Sequence, residues 1–315
     1  MGMDLGRPDL DTQSMSNQKN STVVSICCIT YNHEKYIRDA IEGFLMQKTN
    51  FPFEILIHDD ASTDGTADII REYEAKYPDI IKPIYQTENQ YSKGVSISAT
   101  YQYPRARGKY IALCEGDDYW IDPYKLQKQV DLLEQNPEYS MCFHNAFRIY
   151  EDSTKKPELF NDIFFSRVVT IDEIINKWII PTASIIFKRD ILPLPTWSKS
   201  IYSGDMTLAL IAASKGKVYY LNSVMSIYRI NSIGSSLSAN VVSRKFDFVL
   251  KEHIKLYEFY LNDPLCINKK IIEAKIHSLK KELKFQQLKH KNYVFAFMQM
   301  PSYSLRKLKN KIQKK

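Results

Sequence analysis

The chain has 315 residues, 44% hydrophobic and 25% charged, which is enough to bury a full-sized core and excludes a disordered or fibrous class. No run of about 18 uncharged apolar residues occurs, so no membrane-spanning helix is expected. The net charge of +7 hides an asymmetry: residues 241–315 carry 18 Lys/Arg against 6 Asp/Glu, a net +12, whereas residues 1–240 carry 25 against 30, a net −5. A basic tail is attached to a mildly acidic body. The start lacks a basic-then-apolar signal, which argues for the cytoplasm. Cys27, Cys28, Cys114, Cys142 and Cys266 are odd in number and lack CxxC spacing; they read as reduced packing residues, neither a disulfide framework nor a zinc site.

Residues 1–20 are polar, without an apolar period, and are expected to be disordered. Beyond them strand-like and helix-like segments alternate. "TVVSICCIT" (22–30) reads as a β-branched strand, followed by a helix over about 34–47 with Ile37, Ala40, Ile41, Phe44 and Leu45 on one face. "FEILIH" (53–58) is a second strand, and the helix after it, about 66–77, stops before Pro78. "IIKPIY" (80–85) is a third strand, placed at an edge because Pro83 cannot donate to a ladder. "KYIALC" (109–114) is a fourth, with a helix over about 123–135 after it. Four strands separated in this way predict an α/β fold with a mostly parallel, Rossmann-like sheet and helices on both faces.

The second half changes character. "MCFHNAFRIY" (141–150) and "ASIIFK" (183–188) read as strands, 151–166 as a polar loop, and "TIDE" (170–173) as a capping box. "SGDMTLALIAASKGK" (203–217) becomes an apolar helix ended by Gly216. "VYYLN" and "SIYRI" read as two short strands before the loop 231–240, and helices at about 241–262 and 268–291 complete the chain. The expected division is a disordered segment 1–20, a body 21–240 with a nucleotide-binding half 21–122 and an acceptor half 123–240, and a basic helical extension 241–315.

Ligands of open α/β sheets bind beyond the carboxyl ends of the strands. Those ends are "TYNH", "DDASTDGT", "TENQ" and "EGDD", all polar. Glu115, Asp117 and Asp118 crowd three carboxylates into four residues, an arrangement that repels itself unless a cation or proton is present. A nucleoside diphosphate sugar fits: its diphosphate needs a hard divalent ion, and strand-end carboxylates supply oxygen ligands. Asp60 and Tyr31 have the chemistry to hold a base and ribose. Asp64 caps the next helix.

The segments "TYNHEKYIRDAIEGFLMQ", "EILIHDDASTDGTADII", "ARGKYIALCEGDDYWIDPYKL" and, more weakly, "GDMTL" occur in this order, and together they resemble a family 2 glycosyltransferase of the GT-A fold over about residues 22–235. The resemblance implies an inverting enzyme that uses Mn2+ or Mg2+. Tyr31 and Asp60 would contact the nucleotide and Asp118 the metal, with Asp117 or Glu115 at ribose or metal. Asp205 would be the catalytic base. Its partners would be a nucleoside diphosphate sugar, UDP-linked by the family's commonest choice, and a glycan or lipid-linked saccharide acceptor. Two positions depart from the family pattern: Gly204 stands where an acidic residue often precedes the base, and Asn231 stands where a histidine often follows "YR", which shifts phosphate contact toward Arg229.

A noncatalytic sugar- or nucleotide-binding module and a metal-dependent nucleotidyltransferase are the alternatives; the latter should carry an early Gly-rich phosphate loop, and "TYNHEKY" has no glycine. His33, His58 and His144 lack ligand spacing and read as core or surface residues. Nucleic acid is not an expected partner, because the basic residues are confined to the tail and no RNA-binding aromatic signature occurs. The tail mixes Lys with Leu, Ile, Phe and Met, which suits peripheral contact with an anionic inner membrane face.

Overall fold

The computed structural model describes residues 21–151, 155–230 and 246–298. The expected disordered segment 1–20, the loop 231–240, the start of the helix placed at 241 and the terminal "LRKLKNKIQKK" lie outside the described residues.

The first half follows the expected alternation: β1 (Val24–Thr30), α1 (Ile37–Leu45), β2 (Phe53–Asp59), α2 (Thr66–Lys76), β3 (Ile81–Tyr85) and β4 (Tyr110–Leu113). Short 3-10 and π turns between Tyr91 and Arg105 take the place of a helix between β3 and β4. The chain continues through β5 (Tyr119–Trp120), α3 (Lys125–Gln135), β6 (Tyr139–Tyr150), β7 (Glu158–Leu159), β8 (Arg167–Val169), α4 (Ile171–Asn176), β9 (Ile186–Lys188), α5 (Gly204–Lys215) and β10 (Lys217–Ile230). Helices α6 (Phe246–Leu261) and α7 (Lys269–Met298) follow.

Among the described residues ten strands form one sheet, ordered β3-β2-β1-β4-β9-β6-β10-β5, with β7 beside β6 and β8 beside β10. Strand β3, with Pro83, is an edge as expected. Pairs β1/β2, β1/β4, β2/β3 and β6/β10 are parallel, while β9 runs antiparallel between β4 and β6 and so joins the two parallel blocks. The two short strands read at 218–230 are one long strand. Register shifts between Leu221 and Val224 and between Val224 and Ser226 let β10 stay paired with β6 through its polar Asn222–Ser223 step. The "polar loop" 151–166 contains β7.

Residues of β1 alternate between two faces. Val24, Ile26 and Cys28 pack with Ile37, Ile41 and Phe44 of α1, Ile70 of α2 and Leu126 and Val130 of α3. Cys27, with Ile111 and Leu113 of β4, packs under Leu208, Ala209 and Ala212 of α5. Helices therefore cover both faces, and each fully buried Ile or Phe contributes ~1.5–3 kcal/mol. Phe44 meets Trp120 of β5 edge-on, with ring centroids 4.9 Å apart. Gly43 makes this approach possible, since a Cβ there would lie 3.0 Å from the Trp120 backbone nitrogen and oxygen. The capping box is present: the Thr170 hydroxyl accepts from the Glu173 N–H at 3.3 Å, and the Glu173 carboxylate accepts from the Thr170 N–H at 2.9 Å. All five cysteines are free thiols, four of them buried. The extension is packed on the body at α4 and α5, where Leu256, Tyr257, Tyr260, Ile272 and Ile276 join Ile171, Ile175, Leu210 and Ile211. No helix among the described residues is long and apolar enough to cross a membrane.

Candidate active site

At the carboxyl ends of β1 and β2 the two following loops are stitched together. Asn32 adopts a left-handed φ of 55°, and its side-chain oxygen accepts from the Thr63 N–H at 2.8 Å, while its own N–H reaches the Ser62 hydroxyl at 2.9 Å. His33 and Glu34 donate backbone N–H groups to Thr66 Oγ1 (2.8 Å) and Asp64 Oδ2 (3.1 Å). Asp64 also accepts from the Thr66 N–H at 3.0 Å and so fixes the turn, but it is not the helix cap expected of it: Gly65 is the N-cap of α2 and no side chain caps that helix. The end of β1 is thereby held rigid beside the end of β4.

The turn between β4 and β5 carries Glu115, Asp117 and Asp118. It is tied to β1 by the Gly116 N–H, which donates to the Ile29 carbonyl at 2.9 Å. A Cβ at position 116 would lie 2.7 Å from Thr30 Oγ1 and 3.0 Å from His33 Nδ1, so only glycine lets the turn seat this deeply. Asp117 and Asp118 are buried and Glu115 is exposed at the mouth. Loss of hydration, together with Asp117 and Glu115 nearby, raises the Asp118 pKa well above the usual carboxylate range. The protein surrounding Glu115, then Asp117 and Asp205, pushes Glu115 up to about 8 even though its side chain touches solvent. The carboxylates are thus crowded enough to compete for protons, as the sequence implied.

Arg229, on β10, braces this turn. Its backbone N–H donates to Asp118 Oδ1 at 2.9 Å and its guanidinium to the Asp117 carbonyl at 2.9 Å. It also ion-pairs with Asp39 and lies over the rings of Tyr119 (4.3 Å) and Tyr36 (5.2 Å). These partners leave the guanidinium committed to protein groups, so a phosphate contact would come at the expense of one of them. His33, read from sequence as a core or surface residue, places Nε2 3.9 Å from Asp117 Oδ2.

Asp205 lies in the first turn of α5, near enough to the acidic turn for its charge to act on Glu115. Its Oδ1 accepts from the Met206 N–H at 2.8 Å and its Oδ2 from the Thr182 hydroxyl at 3.2 Å. Burial raises its pKa against these two bonds, which lower it. Tyr228 joins the site without any signal in the sequence. Burial raises its phenol pKa, and the charges of Asp118, Glu115, Asp117 and Asp205 raise it further. One ring therefore senses all four carboxylates. Tyr91 is raised as well, by the protein packed around its hydroxyl and then by Tyr202, Glu115 and Asp205, although the residue as a whole is 53% exposed. Tyr91, Tyr202 and Phe248 form a chain of rings with centroids 6.0 and 5.4 Å apart, linking the loop after β3, the approach to α5 and the first turn of α6.

Asp60 lies buried at the end of β2. Its two oxygens accept from the backbone N–H groups of Gln90 (2.8 Å) and Tyr91 (3.0 Å). Asp60 therefore joins the crevice by holding the Tyr91 loop in place. Tyr31 is 42% exposed at the end of β1, with its ring open to solvent. Asn231 lies outside the described residues.

Among the described residues no three His, Cys, Asp or Glu side chains form a complete metal cage. Asp118 Oδ2, however, is buried without a hydrogen-bond partner among the described residues, and Glu115 is exposed in the same turn. One or two carboxylates with further ligands from substrate phosphates are what Mg2+-type sites use, so the donor set fits such a cation.

Residues 25–210 match the family described as Glycosyl transferase family 2. The uncharacterized protein Rv1520 of Mycobacterium tuberculosis is 40% identical over 228 residues, 71% of this chain and 63% of that protein. The matched region thus spans less than two thirds of that relative's length. The putative teichuronic acid biosynthesis glycosyltransferase TuaG of Bacillus subtilis is 28% identical over 247 residues, 77% of this chain and 92% of TuaG. Among solved structures, S. aureus TarS 1–349 in complex with UDP-GlcNAc superposes with a TM-score of 0.61 at 18% identity, covering 82% of this chain and 71% of that one. With the family matched across most of its body and the fold shared with TarS, the chain belongs to glycosyl transferase family 2 and has the GT-A fold.

Proposed function

We propose that the protein moves a sugar from a nucleoside diphosphate sugar, UDP-linked as in the TarS complex, to a hydroxyl of a glycan or lipid-linked acceptor, with inversion at the anomeric carbon. The observation that carries this reading is the acidic turn Glu115–Asp118 after β4, whose Glu115 lies near enough to Asp205 for that charge to act on it. TuaG, named for teichuronic acid biosynthesis, supports a polysaccharide acceptor.

Asp205 is the general base. Its Oδ2 exchanges the Thr182 hydroxyl for the acceptor hydroxyl and takes that proton as the acceptor oxygen bonds to the anomeric carbon. The bond from that carbon to the diphosphate breaks on the opposite face. A base held between two hydrogen bonds and raised by burial is oriented and closer to operating pH, which favours proton transfer. Asp118 Oδ2 and Glu115 would hold Mn2+ or Mg2+, which when bound stabilises the negative charge of the departing diphosphate. Arg229 fixes the geometry of Asp117 and Asp118, leaving Asp117 to the ribose. Asp60 and the Tyr91 loop bound the base, with Tyr31 as the exposed ring available for stacking.

A thermal-shift panel of nucleotide sugars with and without manganese tests the reading. One donor should raise the melting temperature only with the cation, since a ligand that binds only the native state stabilises it by mass action. If no donor shifts the melt in either condition, the proposal fails.

A further inference from the structure

Helix α7 is about 45 Å long at the usual rise of an α-helix, and among its described side chains the apolar packing is confined to the first third. Ile272 and Ile276 are buried in the cluster with α4, α5 and α6, and Leu279 is packed against it. Beyond Leu279 the described side chains are exposed or half-exposed. On the opposite side of the helix, at i, i+3 and i+4 spacing, lie Lys281, Lys284, Phe285 and Leu288. Phe285 is 61% and Leu288 51% exposed. Neither lysine forms an ion pair with a described acidic residue, in contrast to Lys280, which bonds Glu258 at 2.6 Å.

We propose that this face of α7 is a docking surface for an anionic lipid bilayer. Two observations select that occupant. Helix α7 carries eight lysines against two glutamates, a charge complementary to acidic headgroups, each such residue near the surface strengthening attachment about five-fold. Phe285 and Leu288 stand among the lysines, where a bilayer interface accepts both apolar side chains, whereas a nucleic-acid phosphate backbone offers an aliphatic Leu288 no counterpart. A second copy is disfavoured, because two such faces would oppose lysine to lysine, and two apolar side chains are far short of the ~1,200 Å² that a stable interface buries. The extension also reaches the crevice, since Phe248 of α6 meets Tyr202, three residues before Asp205. Docking would therefore seat the crevice mouth near the surface, an advantage for a lipid-linked acceptor that rests on the transfer reading; the docking itself does not.

Co-sedimentation of the full chain with phosphatidylcholine vesicles, and with phosphatidylcholine–phosphatidylglycerol vesicles, tests this. The parent should bind only the anionic vesicles, and added salt should weaken it. Lys281→Glu with Lys284→Glu should lose at least about ten-fold of that binding. Phe285→Ser with Leu288→Ser should lose about ten-fold while keeping the salt dependence. Both doubles should keep the parental melting temperature, because these side chains are exposed and lie outside the apolar cluster that joins α7 to the body. Undiminished vesicle binding by both doubles would overturn the proposal. So would a concentration-dependent dimer abolished by the Phe285/Leu288 change, or RNA binding without vesicle binding.

Discussion

Arg229 and Asp118 are joined through the main chain: the Arg229 N–H donates to Asp118 Oδ1 at 2.9 Å, while the guanidinium of the same residue holds the Asp117 carbonyl. The bond to Asp118 survives any side-chain replacement at 229 except proline, so substitution there isolates the guanidinium. Arg229→Lys keeps the charge but loses the planar fork and the stacking on Tyr119. We expect cation-dependent nucleotide affinity to fall about ten-fold, the worth of one charge-assisted hydrogen bond at ~1.5 kcal/mol, with a melting temperature close to parental. Calorimetric titration with UDP and manganese reads the first quantity. Unchanged affinity would mean that the brace does not matter to the site.

Asp118 and Asp205 should separate binding from transfer. In Asp118→Asn the Oδ1 bond to Arg229 can persist, but the orphaned Oδ2 becomes an amide that repels a cation; donor binding with metal should be lost from a folded protein. In Asp205→Asn the Oδ1 bond to Met206 persists and donor binding should stay parental. Transfer should fall about 10²–10⁴-fold, the range for a lost general base. Parental transfer by the Asp205→Asn variant would remove Asp205 from the mechanism.

Gly116 tests how tightly the acidic turn is seated. In Gly116→Ala the Thr30 hydroxyl and the His33 ring must yield, because the new methyl would sit 2.7 and 3.0 Å from them. Overpacking of this kind costs ~1–3 kcal/mol, roughly 2–5 °C in melting temperature for a chain of this size. Nucleotide affinity should fall as well, since the displaced groups lie beside Asp117. Parental stability and affinity in the alanine variant would show the turn to be looser than the packing implies.

What the sequence disclosed follows from burial. Strands β1 and β2 are covered on both faces and so read as continuous apolar runs, and the carboxylates that end β4 were legible as a repelling cluster. Direction was not legible: β9 has the same apolar pattern whether it runs parallel or antiparallel. Strand β10 read as two because Asn222 and Ser223 interrupt the pattern, although irregular pairing with β6 carries the strand through them. Partners across long separations were hidden too. His33 stands at a polar strand end, a signal that was present, but only the fold brings it to Asp117, and only the fold turns Arg229 toward the acidic turn. Tyr228 lies in an ordinary strand pattern and carries no sequence mark of its place among four carboxylates.

Lys125 gives a prediction whose sign depends on pH. It is fully buried, donates to Gln129 Oε1 at 2.7 Å and lies 4.1 Å from the centre of the Trp120 ring, directly beneath the strand that follows the acidic turn. Burial, only partly offset by Cys114, Cys142 and Asp122, lowers its pKa from 10.5 to about 7. Between those values the unfolded chain holds a proton that the native state has released, so the contribution to stability grows as pH rises. It is present in full above 10.5 and lost as pH falls through about 7. Lys125→Met keeps an unbranched side chain of similar reach and removes the titration, while leaving Gln129 Oε1 without its donor, a cost of ~1–3 kcal/mol that does not vary with pH. The melting temperature of the variant relative to the parent should therefore be more favourable at about pH 6 than at about pH 9. Thermal denaturation at the two values decides it: a constant difference, or a reversed one, would show that Lys125 is not held near neutrality by its burial.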